Sequence, residues 1–534
     1  ARAFLRNLHS GSTLASVSYI CTDKTGTLTH GDLSVKEVVP LDHSFSKDLI
    51  NEYLYHSLDL KSVNGKKIGD VLELSLDNYL QRAFSFDEIK ESPFTSEKKY
   101  NAKEYQVNGE YLQLYKGAPE VLGVKDEHIN AYVTEGFRVI AIGYKKHATS
   151  EEFSTSEVLP LALVIFEDKI RSEAKNSIIG CKKAGISVIM ITGDNILTAE
   201  HVGREVGIVT DEKDILITGQ ELDLLSDEEL IKKIHFIKVI ARANPLHKER
   251  VVKALQEKGE VVAMTGDGVN DGPALSLANI GISMGRTGTE VAKEASDLVL
   301  IDDDFSDIAL AIFEARTISE NIRKTLTFLM TSATSIVITV LGSVFLELPL
   351  PFLAVQILWL NFVMAGFLDF SIATEKSEPV YRSYTYHRYR GPLLNLYDLS
   401  RIFVLSIYIG GITLGVFYIF LEVLSLNEAR TGIMFLISAF IWCNALNVRK
   451  NYDTIFSFNP FTNIYVVIGI TLEIFILLGS IYFDTGNVLF TTTPLPYQLL
   501  FVLFFLATSI FVVDACFKLG KRGIRRVVRL FPNH

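Results

Sequence analysis

The chain has 534 residues, of which 48% are hydrophobic and 21% charged, and its mean hydropathy is +0.26. This apolar content excludes an intrinsically disordered chain. A disulfide framework is excluded by the wide spacing of its cysteines, which are Cys21, Cys181, Cys443 and Cys516. The length allows about three or four domains.

Charge divides the chain into two unlike parts. Residues 1–324 carry 38 basic and 51 acidic side chains, a net charge of −13, whereas the remainder carries 14 and 11, a net charge of +3. The acidic first part disfavours nucleic acid as a partner. Because the chain begins Ala-Arg-Ala, without an initiator Met or a signal peptide, we expect it to be the C-terminal piece of a longer protein.

Short β-like runs alternate with helical patterns within 1–324. The runs are Val17–Cys21, Leu161–Phe166, Ser187–Ile191, Lys238–Ala241 and Val261–Met264, and the helical patterns include Glu173–Ala184 and Leu246–Lys258. This alternation predicts a parallel α/β sheet covered on both faces. Residues 37–160 interrupt it with a segment richer in charge and Tyr, which contains a hairpin pattern around Asn108-Gly109. We interpret that segment as a second domain inserted after the first strand.

Three of the β-like runs end in an acidic motif. These motifs are Thr22-Asp23-Lys24-Thr25-Gly26-Thr27, Thr192-Gly193-Asp194 and Thr265-Gly266-Asp267-Gly268-Val269-Asn270-Asp271. Ligands gather at the carboxyl ends of parallel strands, so we expect the three motifs to converge. Asp23 and Asp267 together form an oxygen-rich site of the kind that binds Mg²⁺. A carboxylate can also act as a nucleophile and form an aspartyl-phosphate.

A basic residue, Lys248, begins the helical pattern that follows the fourth run. A cation that reaches the same cluster would offset the charge of a transferred phosphoryl group. Taken alone, a Thr-Gly-Asp sequence is more often a turn, and a lone Lys more often lies on a solvated helix face. Three acidic strand ends with a basic residue between them favour the phosphoryl-transfer interpretation.

Six apolar stretches occupy the last 210 residues, each near the length of about 20 residues that spans a bilayer. They are 325–346, 352–374, 400–421, 431–448, 464–482 and 497–517. Six such runs in series, separated by short polar loops, disfavour the alternative of buried helices in a soluble core. Twelve basic residues lie on one side of the predicted membrane and only Arg430 on the other, so the basic side is predicted to be cytoplasmic. An even number of spans places 1–324 on that same side.

At this point two motifs resemble those of a known family. Asp23–Thr29 (DKTGTLT) resembles the phosphorylation motif of P-type ATPases, and Thr265–Leu275 (TGDGVNDGPAL) resembles their hinge motif, with Gly272 where Ala is usual. The resemblance implies that ATP phosphorylates Asp23, and that Asp23, Asp267 and the backbone carbonyl of Thr25 bind Mg²⁺. It also implies that the phosphate is surrounded by Thr192, Gly193, Asp194, Lys248, Asn270 and Asp271. A soluble phosphatase of the same haloacid-dehalogenase type shares these strand ends, but six spans exclude it as the whole answer.

The inserted domain resembles the family's nucleotide-binding domain. The implied cofactor-binding residues are Glu73, Phe94, Lys99, Lys116, Gly117, Arg138, Asp168, Arg171 and Arg242. Phe94 is expected to stack on adenine, although beside a Pro it also fits the pattern of an ordinary core residue. The family's Asp-Pro-Pro-Arg motif is replaced by Asp168-Lys169-Ile170-Arg171, and the loss of both prolines predicts a less rigid domain hinge.

The membrane half resembles the branch that contains calcium and sodium–potassium pumps. The ion ligands of calcium pumps do not carry over, because Ala333, Ile336, Met364, Ala365 and Ile441 stand at their positions and only Asn361 survives. Ca²⁺ prefers 6–8 oxygen ligands, so a two-site calcium pump is disfavoured. The possible transport site consists of Asn361, Asp369 and Glu473, since ionisable residues within a span are costly and therefore functional candidates. Asp369 is equally compatible with an interfacial position, and Asp514, near the cytoplasmic end of the last span, is expected to be interfacial.

Three hypotheses for function remain open on the sequence. The first is a cation pump with a reduced site, for one ion or a proton. The second is a lipid flippase-like pump, which the short nucleotide domain and the TGDGVNDGPAL spelling disfavour. The third is a non-transporting, ATP-binding regulatory membrane protein, which the intact phosphorylation motifs disfavour. The family's actuator domain and first four membrane helices are expected to precede this segment.

The predicted fold is therefore an α/β haloacid-dehalogenase-like phosphorylation domain with a Rossmann-type parallel sheet, an inserted α+β nucleotide-binding domain, and an all-α bundle of six transmembrane helices. The predicted ranges are 1–36 and 161–322 for the phosphorylation domain, 37–160 for the nucleotide domain, 323–517 for the bundle and 518–534 for a basic cytoplasmic tail. The expected ligands are ATP, Mg²⁺ and a cation of unknown identity. The expected location is multi-pass in the plasma membrane.

Overall fold

The computed structural model describes residues 2–7, 10–63, 66–80, 88–95, 98–107, 109–361, 366–377, 393–451 and 453–530. Within these residues the chain packs as two compact units, one containing residues up to Phe313 and the other residues from Glu314 onward. The first unit holds the sheets and the second is helical.

The strands all lie in the first unit. In chain order they are β1 (Ala3–Leu5), β2 (Tyr19–Thr22), β3 (Thr29–Pro40), β4 (Lys61–Val63), β5 (Lys66–Ile68), β6 (Glu88–Ser92), β7 (Tyr100–Val107), β8 (Glu110–Gly117), β9 (Arg138–His147), β10 (Leu159–Ile170), β11 (Ser187–Ile191), β12 (Ile215–Thr218), β13 (Ile237–Ala241), β14 (Val262–Gly266), β15 (Ile280–Met284) and β16 (Leu298–Leu300).

An eight-stranded sheet forms the core of the first unit, in the order β1-β16-β15-β14-β2-β11-β13-β12. Its strands are parallel except β1, which pairs antiparallel with β16. The central strands β2, β14 and β11 are almost continuously apolar and buried, as expected of strands covered on both faces. This arrangement confirms the predicted haloacid-dehalogenase-like parallel sheet, with β2 between β14 and β11.

A second sheet is antiparallel, with six strands in the order β3-β10-β9-β8-β7-β6. The predicted hairpin is present, because β7 pairs with β8 along its whole length. Leu161–Phe166 is a strand, but its expected place in the parallel sheet is wrong. It lies within β10, which pairs antiparallel with β3 and β9. Its buried apolar run resembles a parallel strand because both faces of β10 are covered by apolar clusters.

In chain order, the helices up to residue 345 are α1 (Ser10–Ala15), α2 (Lys47–His56), α3 (Val71–Leu80), α4 (Asp126–Thr134), α5 (Ala174–Lys183), α6 (Ile196–Glu205), α7 (Gly219–Leu224), α8 (Asp227–Lys233), α9 (Pro245–Glu257), α10 (Gly272–Leu277), α11 (Glu290–Ala295) and α12 (Phe305–Phe345). The remaining helices are α13 (Ala354–Trp359), α14 (Gly366–Ala373), α15 (Leu396–Val423), α16 (Leu426–Val448), α17 (Ile464–Tyr482), α18 (Asp484–Phe490), α19 (Tyr497–Ala507) and α20 (Ile510–Leu530).

Five stretches of the described residues are helical, long and apolar enough to cross a bilayer. They are Phe305–Phe345, Leu396–Val423, Leu426–Val448, Ile464–Tyr482 and Tyr497–Gly520. The remaining predicted span, 352–374, is represented among the described residues by α13 and α14, and residues 362–365 lie outside them. Helix α16 is buried along almost its whole length and forms the centre of the apolar core of this unit.

Candidate active site

The three acidic motifs lie at the same edge of the eight-stranded sheet. Asp23 follows β2, Thr192-Gly193-Asp194 follows β11, and Asp267–Asp271 follows β14. These three strands are parallel neighbours, so their carboxyl ends meet. The hydroxyl of Thr265 accepts a hydrogen bond from the Asp23 backbone N–H (3.2 Å), which joins two of the motifs directly.

Lys248 is the basic residue that reaches this cluster. Its Nζ lies 2.7 Å from Asp23 Oδ2 and 2.8 Å from Asp271 Oδ1, and its side chain is almost entirely buried. The side chain is aimed there by the start of α9, where Asn244 caps the helix and Pro245 occupies its first turn. Burial opposes the charge of Lys248, but Asp23 and Asp271 outweigh it and raise the pKa of the ammonium.

Asp271 also fixes the loop after β14. Its Oδ2 accepts hydrogen bonds from the backbone N–H groups of Asp267 and Gly268, each at 3.2 Å. A Cβ at Gly266 would lie 2.6 Å from the Asp271 Cβ, so only glycine allows this close approach. Asp271 therefore orients both the loop and the ammonium of Lys248.

The cluster carries an excess of negative charge that suits a divalent cation. Burial, followed by the nearby carboxylates of Asp23 and Asp271, raises the pKa of Asp267, which means that its charged form lacks compensation. Among the described residues, no group of three or more His, Cys, Asp or Glu side chains forms a complete metal site. Mg²⁺ is usually held by one or two carboxylates together with phosphate and water, so Asp23 and Asp267 fit it.

The other predicted catalytic residues differ in how much of each residue is exposed to solvent. Thr25, Gly193 and Asn270 are exposed, whereas Thr192 is buried and accepts a hydrogen bond from the Asp194 N–H. Asp194 pairs with Lys24, which also lies 3.4 Å from Asp168. This bridging role of Lys24 was missed from the sequence, since its two partners lie 144 and 170 positions away.

A cavity of about 870 Å³ lies between the antiparallel sheet and the carboxyl edge of the parallel sheet. Most of the residues predicted to bind the cofactor line it, together with Gly193 and Asp194: Glu73, Phe94, Lys99, Lys116, Gly117, Arg138 and Arg242. Phe94 is 58% exposed, which rules out the core interpretation and leaves its ring free for a planar ligand. Asp59 and Asn101 also line the cavity and carry no recognisable sequence signal.

One wall of the cavity is built around a buried ion pair. Lys116 Nζ lies 2.6 Å from Glu73 Oε1 and 2.5 Å from Oε2, and it donates to the Ser57 carbonyl at 2.9 Å. Burial lowers the pKa of Lys116, while Glu73 counteracts that effect. A Cβ at Gly117 would lie 2.6 Å from the Tyr100 Cβ, so glycine is required where β8 passes β7.

Two predicted cofactor residues do not line the cavity. Asp168 accepts hydrogen bonds from the Thr29 hydroxyl (2.7 Å) and the Gly31 N–H (3.2 Å). Arg171 donates to the carbonyls of Thr29 (3.1 Å) and Gly26 (3.3 Å). Both residues therefore hold the segment that follows Asp23. Arg242, by contrast, lines the cavity from a left-handed backbone conformation (φ 48°), which is uncommon for a residue other than glycine.

Comparison with known proteins identifies the family. Residues 17–279 match a haloacid dehalogenase-like hydrolase model and residues 349–520 match the model of the C-terminus of cation-transporting ATPases. The chain is 32% identical to a calcium-transporting ATPase of Bacillus cereus (89% of this chain, 60% of the relative) and 32% to one of Saccharomyces cerevisiae (98% and 62%). A calcium-transporting ATPase of Listeria monocytogenes is 35% identical over 71% of this chain and 48% of the relative.

The chain belongs to the cation-transporting P-type ATPases. It spans between 48% and 62% of the length of these three relatives. Together with its apolar helices, this membership indicates that the chain belongs to an integral, multi-pass membrane protein.

Apart from Asn361, the described residues at the positions where the resemblance predicts calcium-pump ligands are apolar. Ala333 is exposed, while Ile336 and Ile441 are buried in the helical core; Met364 and Ala365 lie outside the described residues. Asn361 is exposed and its Nδ2 donates to the carbonyl of Ile357, one turn earlier. Asp369 is half-buried, and Glu473 is completely buried.

Asp514, which the sequence places near the cytoplasmic end of the last span, is buried inside the helical unit. It is 1% exposed and its Oδ1 and Oδ2 each lie 2.7 Å from a cation, Arg401 and Lys518 respectively. Arg401 was missed as an ionisable residue within a predicted span, because its partner lies 113 residues away on another helix. Asp514 is therefore fully compensated, unlike Glu473.

Proposed function

We propose that this chain is the catalytic and C-terminal membrane part of a pump that transports a cation across a bilayer at the expense of ATP. The observation that carries the proposal is the contact of Lys248 with Asp23 and Asp271 beside a cavity lined by the expected nucleotide-binding residues. A domain insertion at 37–160 between the two parts of the phosphorylation domain agrees with the cavity lying between the two sheets.

The reaction begins when ATP binds with its base against Phe94 and its phosphates toward Gly193 and Arg242. A carboxylate oxygen of Asp23 then attacks the terminal phosphorus. A bond forms between that oxygen and phosphorus, the bond from phosphorus to the bridging oxygen breaks, and ADP leaves with the bridging oxygen. Lys248 stabilises the negative charge that the phosphoryl oxygens carry in the transition state.

Asp23, Asp267 and the Thr25 carbonyl are the proposed holders of Mg²⁺, which would neutralise phosphate charge when bound. Asp271 keeps Lys248 and the β14 loop in place, and Thr192 and Asn270 border the position of the phosphoryl group. Asn361, Asp369 and Glu473 are the proposed contacts of the transported cation in the helical unit.

Phosphoenzyme formation tests the proposal. The complete protein in membrane vesicles, incubated with ATP labelled at the γ-phosphate, should yield an acid-stable, hydroxylamine-sensitive phosphoprotein. Asp23→Asn should abolish the label, because an amide cannot form the acyl phosphate. Asp227→Asn, which alters an exposed pair with Arg250, is the matched control and should retain it. Labelling of Asp23→Asn at the normal level would refute the proposal.

A further inference from the structure

Glu473 is the least compensated buried acid in the described helical unit. It sits in the middle of α17 and is 0% exposed. Its Oε1 has no hydrogen-bond partner among the described residues. The core of the helical unit, to which α17 contributes Val466, Leu477 and Ile481, is apolar. An ionised carboxylate in such a place is costly unless it binds a proton or a cation.

The other oxygen of Glu473 has one partner, Trp442. The indole Nε1 of Trp442, on α16, donates a hydrogen bond to Oε2 at 2.9 Å. The Trp442 ring is itself held edge-on by Phe435, with ring centroids 6.0 Å apart. The indole N–H is thus fixed in place, and it occupies one oxygen of Glu473.

A second acid lies close to Glu473. Helix α14 packs tightly on α17, since a Cβ at Gly469 would lie 3.1 Å from Ser371 Oγ and 3.3 Å from Leu368 Cδ2. Asp369 is carried by that part of α14, within electrostatic range of Glu473. Its Oδ1 is also buried and unpaired among the described residues.

Other charged groups on the elements that pack against α17 are engaged elsewhere or lie at helix ends. Glu375, after α14, pairs with Arg449, at the end of α16. Glu428 and Arg430, at the start of α16, bond to Ser425 and to the Leu350 carbonyl respectively. Asp484 lies at the start of α18. Glu473 and Asp369 are therefore the acids left to meet a cation within the described part of these helices.

We propose that Trp442 determines the specificity of the transport site: its indole N–H restricts Glu473 to one free oxygen, and Glu473, with Asp369 beside it, binds a cargo of single positive charge. This inference rests on the proposed function. A proton or an alkali cation carries the single positive charge that this proposed site would bind. Ca²⁺ does not, because it prefers 6–8 oxygens and Ala333, Ile336 and Ile441 supply no side-chain oxygen.

The experiment measures the phosphoenzyme level of the complete protein in vesicles as a function of cargo concentration. One arm varies pH from 5.5 to 8.5 in choline chloride, and the others add Na⁺, K⁺ or Ca²⁺ at fixed pH. We expect stimulation in the proton arm or an alkali arm, and the responding arm identifies the source of the charge. Stimulation by Ca²⁺ alone would overturn the proposal.

Trp442→Phe removes the N–H and retains an aromatic ring. Freeing a second oxygen of Glu473 should lower the half-maximal cargo concentration about tenfold, or move the pH midpoint upward by about one unit, at an unchanged maximal level. The matched control is Trp359→Phe, because Trp359 Nε1 has no hydrogen-bond partner among the described residues. A shift of equal size in Trp359→Phe, or none in Trp442→Phe, would overturn the proposal.

Glu473→Gln should lose the cargo dependence while still binding ATP. A normal dependence in this variant would also overturn the proposal. Failure of the proposed function is recognised separately, because it would appear as the absence of any Asp23-dependent label in the unsubstituted protein.

Discussion

Two buried carboxylates in the helical unit differ sharply in their surroundings. At one end of that unit, Glu375 accepts hydrogen bonds from Arg449 at 2.9 and 3.1 Å and from Asn463 at 2.9 Å. In the middle of α17, Glu473 accepts one hydrogen bond, from Trp442. The first acid is satisfied by the fold, whereas the second lacks compensation. The difference separates a structural charge from a charge available to a ligand.

The first unit shows the same contrast on a smaller scale. Asp271 is satisfied by Lys248 and by two backbone N–H groups, whereas burial and, after it, the nearby carboxylates raise the pKa of Asp267. In both units the acid that the fold leaves incompletely compensated lies where a cation is proposed to bind.

The largest predicted effect is on stability, from Glu375→Gln. Loss of this acid leaves the guanidinium of Arg449 buried without its counter-charge, which should cost about 3–5 kcal/mol. Thermal unfolding of the complete protein in detergent would show a large fall in midpoint. Glu473→Gln is the comparison and should leave the midpoint equal or higher, since it removes an uncompensated charge. If the unfolding midpoint fell by the same amount in both variants, the proposed difference between Glu375 and Glu473 would be wrong.

Lys248→Ala tests the contacts of Lys248 with Asp23 and Asp271 at the edge of the parallel sheet. Removal of the ammonium should slow phosphorylation about 10²–10³-fold, because one preorganised stabilising charge is lost. Rapid-quench labelling with ATP measures the rate. Lys253→Ala, an exposed lysine of the same helix α9, is the control and should phosphorylate normally. An unchanged rate in Lys248→Ala would mean that its contacts are only structural.

His56, at the end of α2 and packed against Tyr105 of the antiparallel sheet, offers a pH-dependent test of burial. Burial and, to a smaller degree, Lys103 lower the pKa of His56 from 6.5 to about 4. The unfolded chain therefore binds a proton first, and stability present above pH 6.5 should be lost as pH falls toward 4, by about 2–3 kcal/mol. Hydrogen exchange of β7 and β8, corrected for intrinsic rates, would report it. His56→Gln should flatten the dependence, and the exposed His128→Gln should not.

The smallest predicted effect concerns Phe94, which contributes no charge. Phe94→Ala should raise the ATP concentration for half-maximal labelling about fivefold, through loss of about 1 kcal/mol of stacking. Phe236 is also about half exposed but does not line the cavity, so Phe236→Ala is the matched control. Equal effects of the two substitutions would remove Phe94 from the proposed binding site.

The parallel sheet was predictable because its strands are short, apolar and followed by acidic motifs. Leu161–Phe166 was assigned to the wrong sheet, because burial on both faces produces the same apolar run in either kind of sheet. The predicted span 352–374 contains α13 and α14 among its described residues, and residues 362–365 lie outside the described part of the chain.

The sequence by itself determined the candidate residues: the acidic strand ends, Lys248, the predicted nucleotide-binding residues and the apolar replacements in the membrane half are all readable from residue type and order. Only the tertiary structure decided which charges are compensated. Lys24 with Asp168 and Asp194, Arg401 with Asp514, and Trp442 with Glu473 each join residues that are distant in sequence. The electrostatic state of a buried acid depends on such neighbours, and folding rather than local pattern brings them within hydrogen-bonding distance.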